Sequence, residues 1–344
     1  MGSDIIKVTI KDIAKATGYS VSTVSVSLNN KSARVTQETR DKIRKVAKEM
    51  GYVRDSTAIS LKKNYMPNIG LIVPDISNEF YGNFAKGAEQ FCSENHWGLI
   101  INSSDNDTLR ENQYIDNLYQ QKVAGIIMAR ASHEKDNAIN SFTKLKELGI
   151  EHVLLDFSGT DKSNVVTCNH FEAGYNATKL LISLGHRNIA CITGDQRLEG
   201  DRARLDGYKK ALEEAGIKYN PSIIVQSDYT YGNTMKVVQQ LDLSSFTAVF
   251  AFNDLMAVAF CNYVASLSFN IPNDYSVIGN DNTLITRIGT PTLTTISQPI
   301  QEMGYEAAKI IYEKRHNPSN KKIIQRFPTK LVRRNSTLKL QSKS

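Results

Sequence analysis

Cysteine is scarce and scattered. Cys92, Cys168, Cys191 and Cys261 stand far apart with no C-x-x-C spacing, which argues for buried reduced thiols rather than a disulfide framework or a thiolate metal site. No uninterrupted apolar run approaches the ~18 residues of a membrane span. The N-terminus lacks the apolar stretch and cleavage site of a secretory signal, so a cytoplasmic location is expected. Also missing are G-x-S-x-G, H-E-x-x-H, a P-loop, and G-x-G-x-x-G behind a strand. "SDNDT", from Ser104 to Thr108, offers carboxylates without the rest of a calcium loop. No metal, cofactor or catalytic residue is therefore expected.

What is present is charge, and it is unevenly placed. Residues 1–63 hold 13 of the 42 Lys and Arg residues and 6 of the 35 Asp and Glu residues. That leaves 29 of each sign in the remainder, so the whole excess of +7 sits at the front. A basic module on a neutral body points to a polyanion partner for that module alone. At 344 residues the chain should also contain two or three domains.

The front segment, "VTIKDIAKATGYSVSTVSVSLNN", has three helical periodicities in or after it. Ile10, Ile13, Ala14 and Thr17 give the first; Val21, Val24 and Leu28 the second; Ile43, Val46, Ala47 and Met50 the third, behind Thr36 as N-cap. Gly18-Tyr19-Ser20 supplies a tight turn that needs positive φ, and the whole describes a helix-turn-helix. The second helix presents Val21, Ser22 and Val26 outward, small enough to enter a major groove. Ser20, Thr23 and Asn29 can bond phosphates, while Val21 and Val26 can meet thymine methyls. With Thr9 heading the first helix, these are the candidate DNA contacts. The alternative is a small helical bundle that merely caps the body.

Beyond Asn68, short β-branched runs alternate with longer amphipathic stretches. The runs are "IGLIV", "GLIIN", "AGIIM" and "HVLLD", then "NIACIT", "SIIVQ", "TAVFAF" and "YSVIG". Such alternation predicts α/β architecture with parallel sheets, here about ten strands in two lobes. Chain crossings are expected near 160–167 and 295–300. Ligands in such sheets bind beyond the carboxyl ends of the strands. Those ends carry Asp75, Arg130, Asp156-Phe157, Asp195, Asn253-Asp254 and Asp281. Carboxylates and amides suit sugar hydroxyls, and aromatics such as Phe80, Tyr81 and Phe157 suit the face of a ring.

The front segment, together with "VTQETRDKIRKVAKEMGY", closely resembles the DNA-binding headpiece of the lactose/galactose repressor family. The resemblance implies a homodimer with one headpiece per half-site of a near-palindromic operator. It places Val21, Ser22 and Val26 at base-reading positions, although Val26 stands where many members have arginine. Residues 53–64, "VRDSTAISLKKN", resemble the family's hinge, in which a leucine wedges into the minor groove. Ala58 and Leu61 match, Leu61 being the wedge, whereas Arg54, Asp55 and Ile59 depart from the usual pattern. A plain linker is the alternative.

The body resembles the same family, and the periplasmic sugar-binding proteins that share its fold. "VPDISNEFY", "LLISLGHRNIACITG", "RARLDGY", "AFNDLMAVAF", "IPNDYSVIGND" and "PTLTTISQP" carry the likeness. It implies effector contacts at Phe80, Tyr81, Arg202, Asn253 and Asp281, with Arg204 beside Arg202 as a further candidate. Arg130 and Phe157 are added from strand-end position. Asn280 replaces a usual aromatic, Cys168 a frequent aspartate and Ser268 a common glycine. The expected division is 1–63, headpiece and hinge, and 64–344, effector-binding and dimerisation body. The expected protein is a dimeric transcriptional regulator, most often a repressor in this family, that binds operator DNA under control of a sugar-like effector. Rival readings are a periplasmic-type sugar-binding protein, which leaves residues 8–52 unexplained, and a sugar-acting enzyme.

Overall fold

The computed structural model describes residues 8–28, 35–52, 65–129, 141–156 and 163–340. The chain divides into two compact units, Met1–Asn64 and Tyr65–Ser344.

The first unit contains α1 (Ile10–Thr17), α2 (Val21–Leu28) and α3 (Gln37–Glu49). Ile13, Ala14, Val24, Ile43 and Ala47 form its buried centre, with Ile10, Leu28 and Met50 packed around them. Thr9 heads α1, its amide and hydroxyl both donating to Asp12 Oδ2, at 2.8 and 2.7 Å. Those bonds hold the Asp12 carboxyl below the usual carboxylate range. Gly18 ends α1 at φ 74°, the left-handed conformation the turn requires. Val21 does not join Val24 and Leu28 in the core; it is 47% exposed at the first turn of α2. A core of five small or medium residues bounds what this unit gains from burial, roughly 1.5–3 kcal/mol for each large aliphatic.

The second unit holds two sheets, each continuously hydrophobic where helices cover both faces. The first contains β1 (Met66–Val73), β2 (Gly98–Ser103), β3 (Val123–Ala129), β4 (His152–Leu155), β5 (Asn164–Cys168) and β11 (Ile324–Phe327). The second contains β6 (Ile189–Thr193), β7 (Ile224–Gln226), β8 (Ala248–Ala251), β9 (Ser276–Asp281), β10 (Thr294–Ser297) and β12 (Lys330–Val332). Their orders are β11-β5-β4-β3-β1-β2 and β12-β10-β9-β8-β6-β7, so β1–β5 recur as β6–β10 in the same order. Every pairing is parallel except β10 with β12.

The helices are α4 (Glu79–Glu94), α5 (Thr108–Gln120), α6 (Ser141–Glu147), α7 (His170–Ser183), α8 (Glu199–Glu214), α9 (Tyr231–Val237), α10 (Asp254–Ser266), α11 (Ile285–Ile288) and α12 (Ile300–His316). Helix α7 packs into the second lobe and α12 into the first. The chain therefore crosses between lobes after β5, after β10 and again between β11 and β12. The sequence predicts the first crossing over 160–167, but residues 164–168 complete a strand and the crossing follows it. The third crossing goes unpredicted because β11 and β12 are short and largely exposed, without the apolar signature of the inner strands.

Each lobe has one helix pair in backbone contact. A Cβ on Gly87 of α4 would lie 1.8 Å from the Gln301 carbonyl of α12, and one on Gly304 would lie 2.0 Å from that of Phe84. In the second lobe, Gly174 of α7 faces the Arg204 carbonyl and Gly207 of α8 faces that of Phe171, each at 2.0 Å. Glycine is thus required at four positions by close approach. Ser336 and Leu338 of the tail are tied to the second lobe through Val277 and Ser276. His186 joins them, its Nε2 lying 3.0 Å from Ser276 Oγ and 3.1 Å from the Leu338 carbonyl, and burial holds its pKa below the usual value. No helix among the described residues is long and apolar enough to cross a membrane.

Gly87→Ala and Gly207→Ala should each destabilise the body by at least about 2 kcal/mol, since no neighbouring side chain can yield in place of a carbonyl. Gly232→Ala, with nothing within 4 Å, should be neutral. Urea denaturation of the three variants tests the contrast.

Candidate functional site

The outward side of α2 carries the expected DNA contacts. Val21 and Ser22 are exposed; Thr23 and Val26 are half-buried. Ser20 precedes the helix and bonds Ser22 Oγ and Thr23 Oγ1, each at 2.8 Å, and accepts from the Thr23 amide at 3.1 Å. The Ser20 and Thr9 hydroxyls are therefore engaged in local capping bonds. Asn29, Ala58 and Leu61 lie outside the described residues.

In the body, the strand ends of the two lobes face a cavity of about 410 Å³. Phe80, Tyr81, Arg202, Asn253 and Asp281 all line it, as do Asp75 and Asp156. Arg130 and Phe157 lie outside the described residues. Of the other strand-end groups, Asp254 lies buried near Asp281 and holds the Thr283 amide and hydroxyl at 2.8 and 2.9 Å. Asp195 pairs with Arg197 at 2.6 Å.

The two arginines of "RARLDGY" have different places. Arg202 is exposed at the rim, whereas Arg204 is buried at the floor. Arg204 Nη1 donates to the Phe252 carbonyl at 3.0 Å, and its guanidinium lies over the Phe252 ring, 5.0 Å from the centroid. Nη2 lies 2.9 Å from His170 Nδ1, and Asp201 Oδ1 is 3.7 Å from Nη1. His170 Nε2 lies 2.7 Å from Asp156 Oδ1, which also accepts from Thr167 at 3.0 Å. Burial raises the Asp156 pKa, but His170, Thr167 and Arg204 outweigh it and hold the carboxyl below its usual value.

Asp201 and Asp281 go the other way. Burial pushes Asp201 up to about 6, against the pull of Arg204 and a hydrogen bond from the Tyr229 hydroxyl. Burial and the neighbouring Asp254 push Asp281 well above the carboxylate range. Asp281 Oδ1 accepts from Asn280 at 2.7 Å and Gln298 at 2.6 Å. Among the described residues, four buried atoms here have no hydrogen-bond partner: Asp201 Oδ2, Arg204 Nε, Asn280 Oδ1 and Gln298 Oε1. Asp156, Tyr229 and Asp281 adopt positive φ of 56°, 69° and 113°. For non-glycine residues such backbone costs on the order of 1–3 kcal/mol and collects at functional sites.

Phe80 and Tyr81 form an edge-to-face pair with centroids 5.2 Å apart. Burial and then Asp156, Asp201, Asp281 and Asp75 raise the Tyr81 phenol, which places it among carboxylates from both lobes. Asn253 is partly spent on structure: Oδ1 caps α10 at the Met256 amide and Nδ2 reaches the Tyr229 carbonyl. Sequence reasoning missed His170, Asp201, Tyr229, Phe252 and Gln298. Gln298 follows β10 and His170 follows β5, so identifying those strands would have exposed both by the strand-end rule. Tyr229 follows the three-residue strand β7, which is too short to mark.

Asp254 supplies a pH test. Burial pushes it up to about 7, so between about pH 4 and 7 the folded state holds a proton the unfolded chain has lost. That contribution is complete near pH 4 and is lost as pH rises through 7. Asp254→Asn should match the parent near pH 4 and gain on it with rising pH, by about 4 kcal/mol at pH 8. Urea melts across this range, with equal differences at both ends counting against the assignment, provide the measurement.

Comparison with known proteins places these two sites in context. Residues 9–55 match the model for bacterial regulatory proteins of the lacI family, and 178–337 match a periplasmic binding protein-like domain. The chain is 37% identical over 343 residues to the HTH-type transcriptional regulator DegA of Bacillus subtilis, covering 98% of this chain and 100% of that one. A LacI family transcriptional regulator from Enterococcus faecium, solved with bound ribose, is 31% identical. It superposes with a TM-score of 0.72 over 80% of this chain and all of its own. The lac repressor dimer bound to operator shares the fold at 23% identity, with a TM-score of 0.80 over 96% of this chain and 99% of its own.

Proposed function

The chain belongs to the lacI family of bacterial regulatory proteins and regulates transcription by binding DNA, and from that premise we propose that a neutral sugar in the cleft sets its operator occupancy. The working form is a dimer that places one α2 in each half-site and acts as a repressor.

The observation that carries the effector reading is the cleft floor. Unpartnered acceptors on Asp201 and Gln298 stand with one unpartnered donor, Arg204 Nε, beside the Phe80, Tyr81 and Phe252 rings. A sugar ring offers hydroxyls that both donate and accept, and C–H faces that pack on aromatics. The volume suits a small ligand, within the ~300–1,000 Å³ of ordinary ligand pockets. An anionic effector is disfavoured because the Asp156 and Asp201 carboxylates face the cavity, where Arg204 is the one buried guanidinium among the described residues. The ribose held by the Enterococcus faecium relative is of the same chemical class.

The lobes touch across the mouth as well as the floor. The Leu284 amide donates to both Glu79 carboxylate oxygens, at 2.8 and 2.9 Å. A ligand held between the lobes changes the balance of their arrangements, and operator and effector then alter each other's affinity reciprocally. Val21 and Val26 read thymine methyls, Ser22 joins them at the bases, and Thr9, Ser20, Thr23 and Asn29 position the helix. Leu61, with Ala58, serves the minor groove from the hinge. A transport protein would have no use for this headpiece, and DegA is itself a transcriptional regulator.

Two outcomes are expected. Operator affinity should fall with salt at about −0.9 in log–log slope per phosphate neutralised, while residues 65–344 alone should not bind DNA. A flat salt dependence counts against the headpiece reading. In a thermal-shift screen, a neutral sugar at 100 times its Kd should stabilise the body by roughly 2.7 kcal/mol. Asp281→Ala should weaken that binding by about 1–3 kcal/mol, the cost of leaving its buried hydrogen-bond partners unsatisfied. Stabilisation by sugar phosphates alone, or an unchanged Asp281→Ala, would overturn the neutral-sugar reading.

A further inference from the structure

His170 has no assigned role, yet it occupies the junction between the lobes and touches Arg204, the one buried cation of the cleft among the described residues. It follows β5 at the first chain crossing and opens α7. Its ring is 6% exposed and lies over Gly200, where a Cβ would come within 3.1 Å of two ring atoms. The seat is thus shaped for an imidazole.

The hydrogen bonds fix its protonation pattern. A guanidinium only donates, so the 2.9 Å contact from Arg204 Nη2 requires a lone pair on His170 Nδ1. The ring proton then sits on Nε2 and is donated to Asp156 Oδ1 at 2.7 Å. Asp156 is itself fixed by the Thr167 hydroxyl. Asp156 and Thr167 belong to the first lobe; His170 and Arg204 belong to the second.

We propose that His170 is a positioning residue for the effector: it holds Arg204 so that Nε–H faces the cavity, and Asp156 sets the tautomer that lets it do so. The proposal rests on the cleft being the effector site. An imidazole lone pair suits this task better than a third carboxylate. It accepts from the guanidinium without neutralising it, so Arg204 keeps its charge for ligand oxygens among Asp201 and Asp281. Because the tautomer is set from the other lobe, Arg204 is aligned only while the lobes keep this arrangement. Effector affinity is thereby tied to lobe geometry through a chain of three side chains.

Two substitutions separate the two ring nitrogens. In His170→Asn the amide oxygen falls near the position of Nδ1 and can still accept from Arg204, while the link to Asp156 is lost. In His170→Gln the amide nitrogen reaches the position of Nε2 and keeps Asp156, but the acceptor for Arg204 is lost. Long-range ¹H–¹⁵N spectra of the full chain labelled at histidine, with His170 assigned by its absence in His170→Asn, should show Nδ1 bare and Nε2 protonated at pH 7. Titration with D-ribose, D-xylose, D-glucose and cellobiose then compares affinities. His170→Asn should stay within about 3-fold of the parent, and His170→Gln should weaken by about 10-fold or more, the scale of one lost bond to a charged group. A proton on Nδ1 in the parent, or His170→Gln binding as well as His170→Asn, overturns the proposal. If no sugar binds the parent, the sugar reading falls while the tautomer measurement still decides the positioning role.

Discussion

A full positive charge buried between two lobes is the constraint around which the rest of the body is organised. Removing a guanidinium from water costs several kcal/mol unless its hydrogen bonds and charge are answered. Arg204 is answered on two of its three nitrogens, by the Phe252 carbonyl and by His170, with Asp201 near Nη1. The ring of Phe252 closes one face. Each partner comes from a different segment: the end of β8, the start of α7 and the first turn of α8. The charge therefore requires the second lobe to be assembled, and through Asp156 it requires the first lobe as well. The third nitrogen has no partner among the described residues, which turns a structural cost into a directed donor.

The same economy appears in the repeated lobe. Five strands recur in identical order, and each lobe brings two helices into backbone contact over glycine. The difference between the lobes is which helix comes from the other side of the junction. After β5 the chain delivers α7 to the second lobe; after β10 it delivers α12 to the first. The exchange means neither lobe can close its own sheet without a segment that has passed the hinge. Crossings fall at strand ends, where the cleft residues also sit. His170 at the first crossing and Gln298 at the second are hinge residues and cleft residues at once.

This arrangement explains what could be read from the sequence. Inner strands buried on both faces are runs of Val, Ile, Leu and Ala, so "AGIIM" and "TAVFAF" were visible as strands and their ends as cleft positions. Asp156, Asn253 and Asp281 reach the cavity for that reason. The headpiece was visible because Gly18 and three amphipathic stripes are local features. What stayed hidden was non-local or small. The strand 164–168 hides behind a polar lead-in, and with it went His170. Exposed β11 and β12 have no apolar run to betray them. Arg202 and Arg204 are two residues apart on a helix and point roughly opposite ways, so composition could not say which one the core would bury. Asp201 has meaning only beside Tyr229, 28 residues later in the chain.

Magnitudes indicate why two lobes so built can respond to a ligand. Within each lobe, large apolar clusters and carbonyl-to-glycine contacts resist change, because close-packed cores do not deform continuously. Between the lobes, the named links are polar: Asp156 with His170 at the floor, and Glu79 with the Leu284 amide at the mouth. A hydrogen bond to a charged group contributes about 1.5–3 kcal/mol, whereas allosteric coupling typically amounts to about 1–3 kcal/mol. Making or breaking one such link is thus enough to account for regulation. Disrupting either lobe would cost far more. His170, the second-lobe end of the floor link, is also the residue that orients Arg204, so lobe geometry and the ligand site meet at one side chain. That shared residue makes the coupling reciprocal without any further moving part.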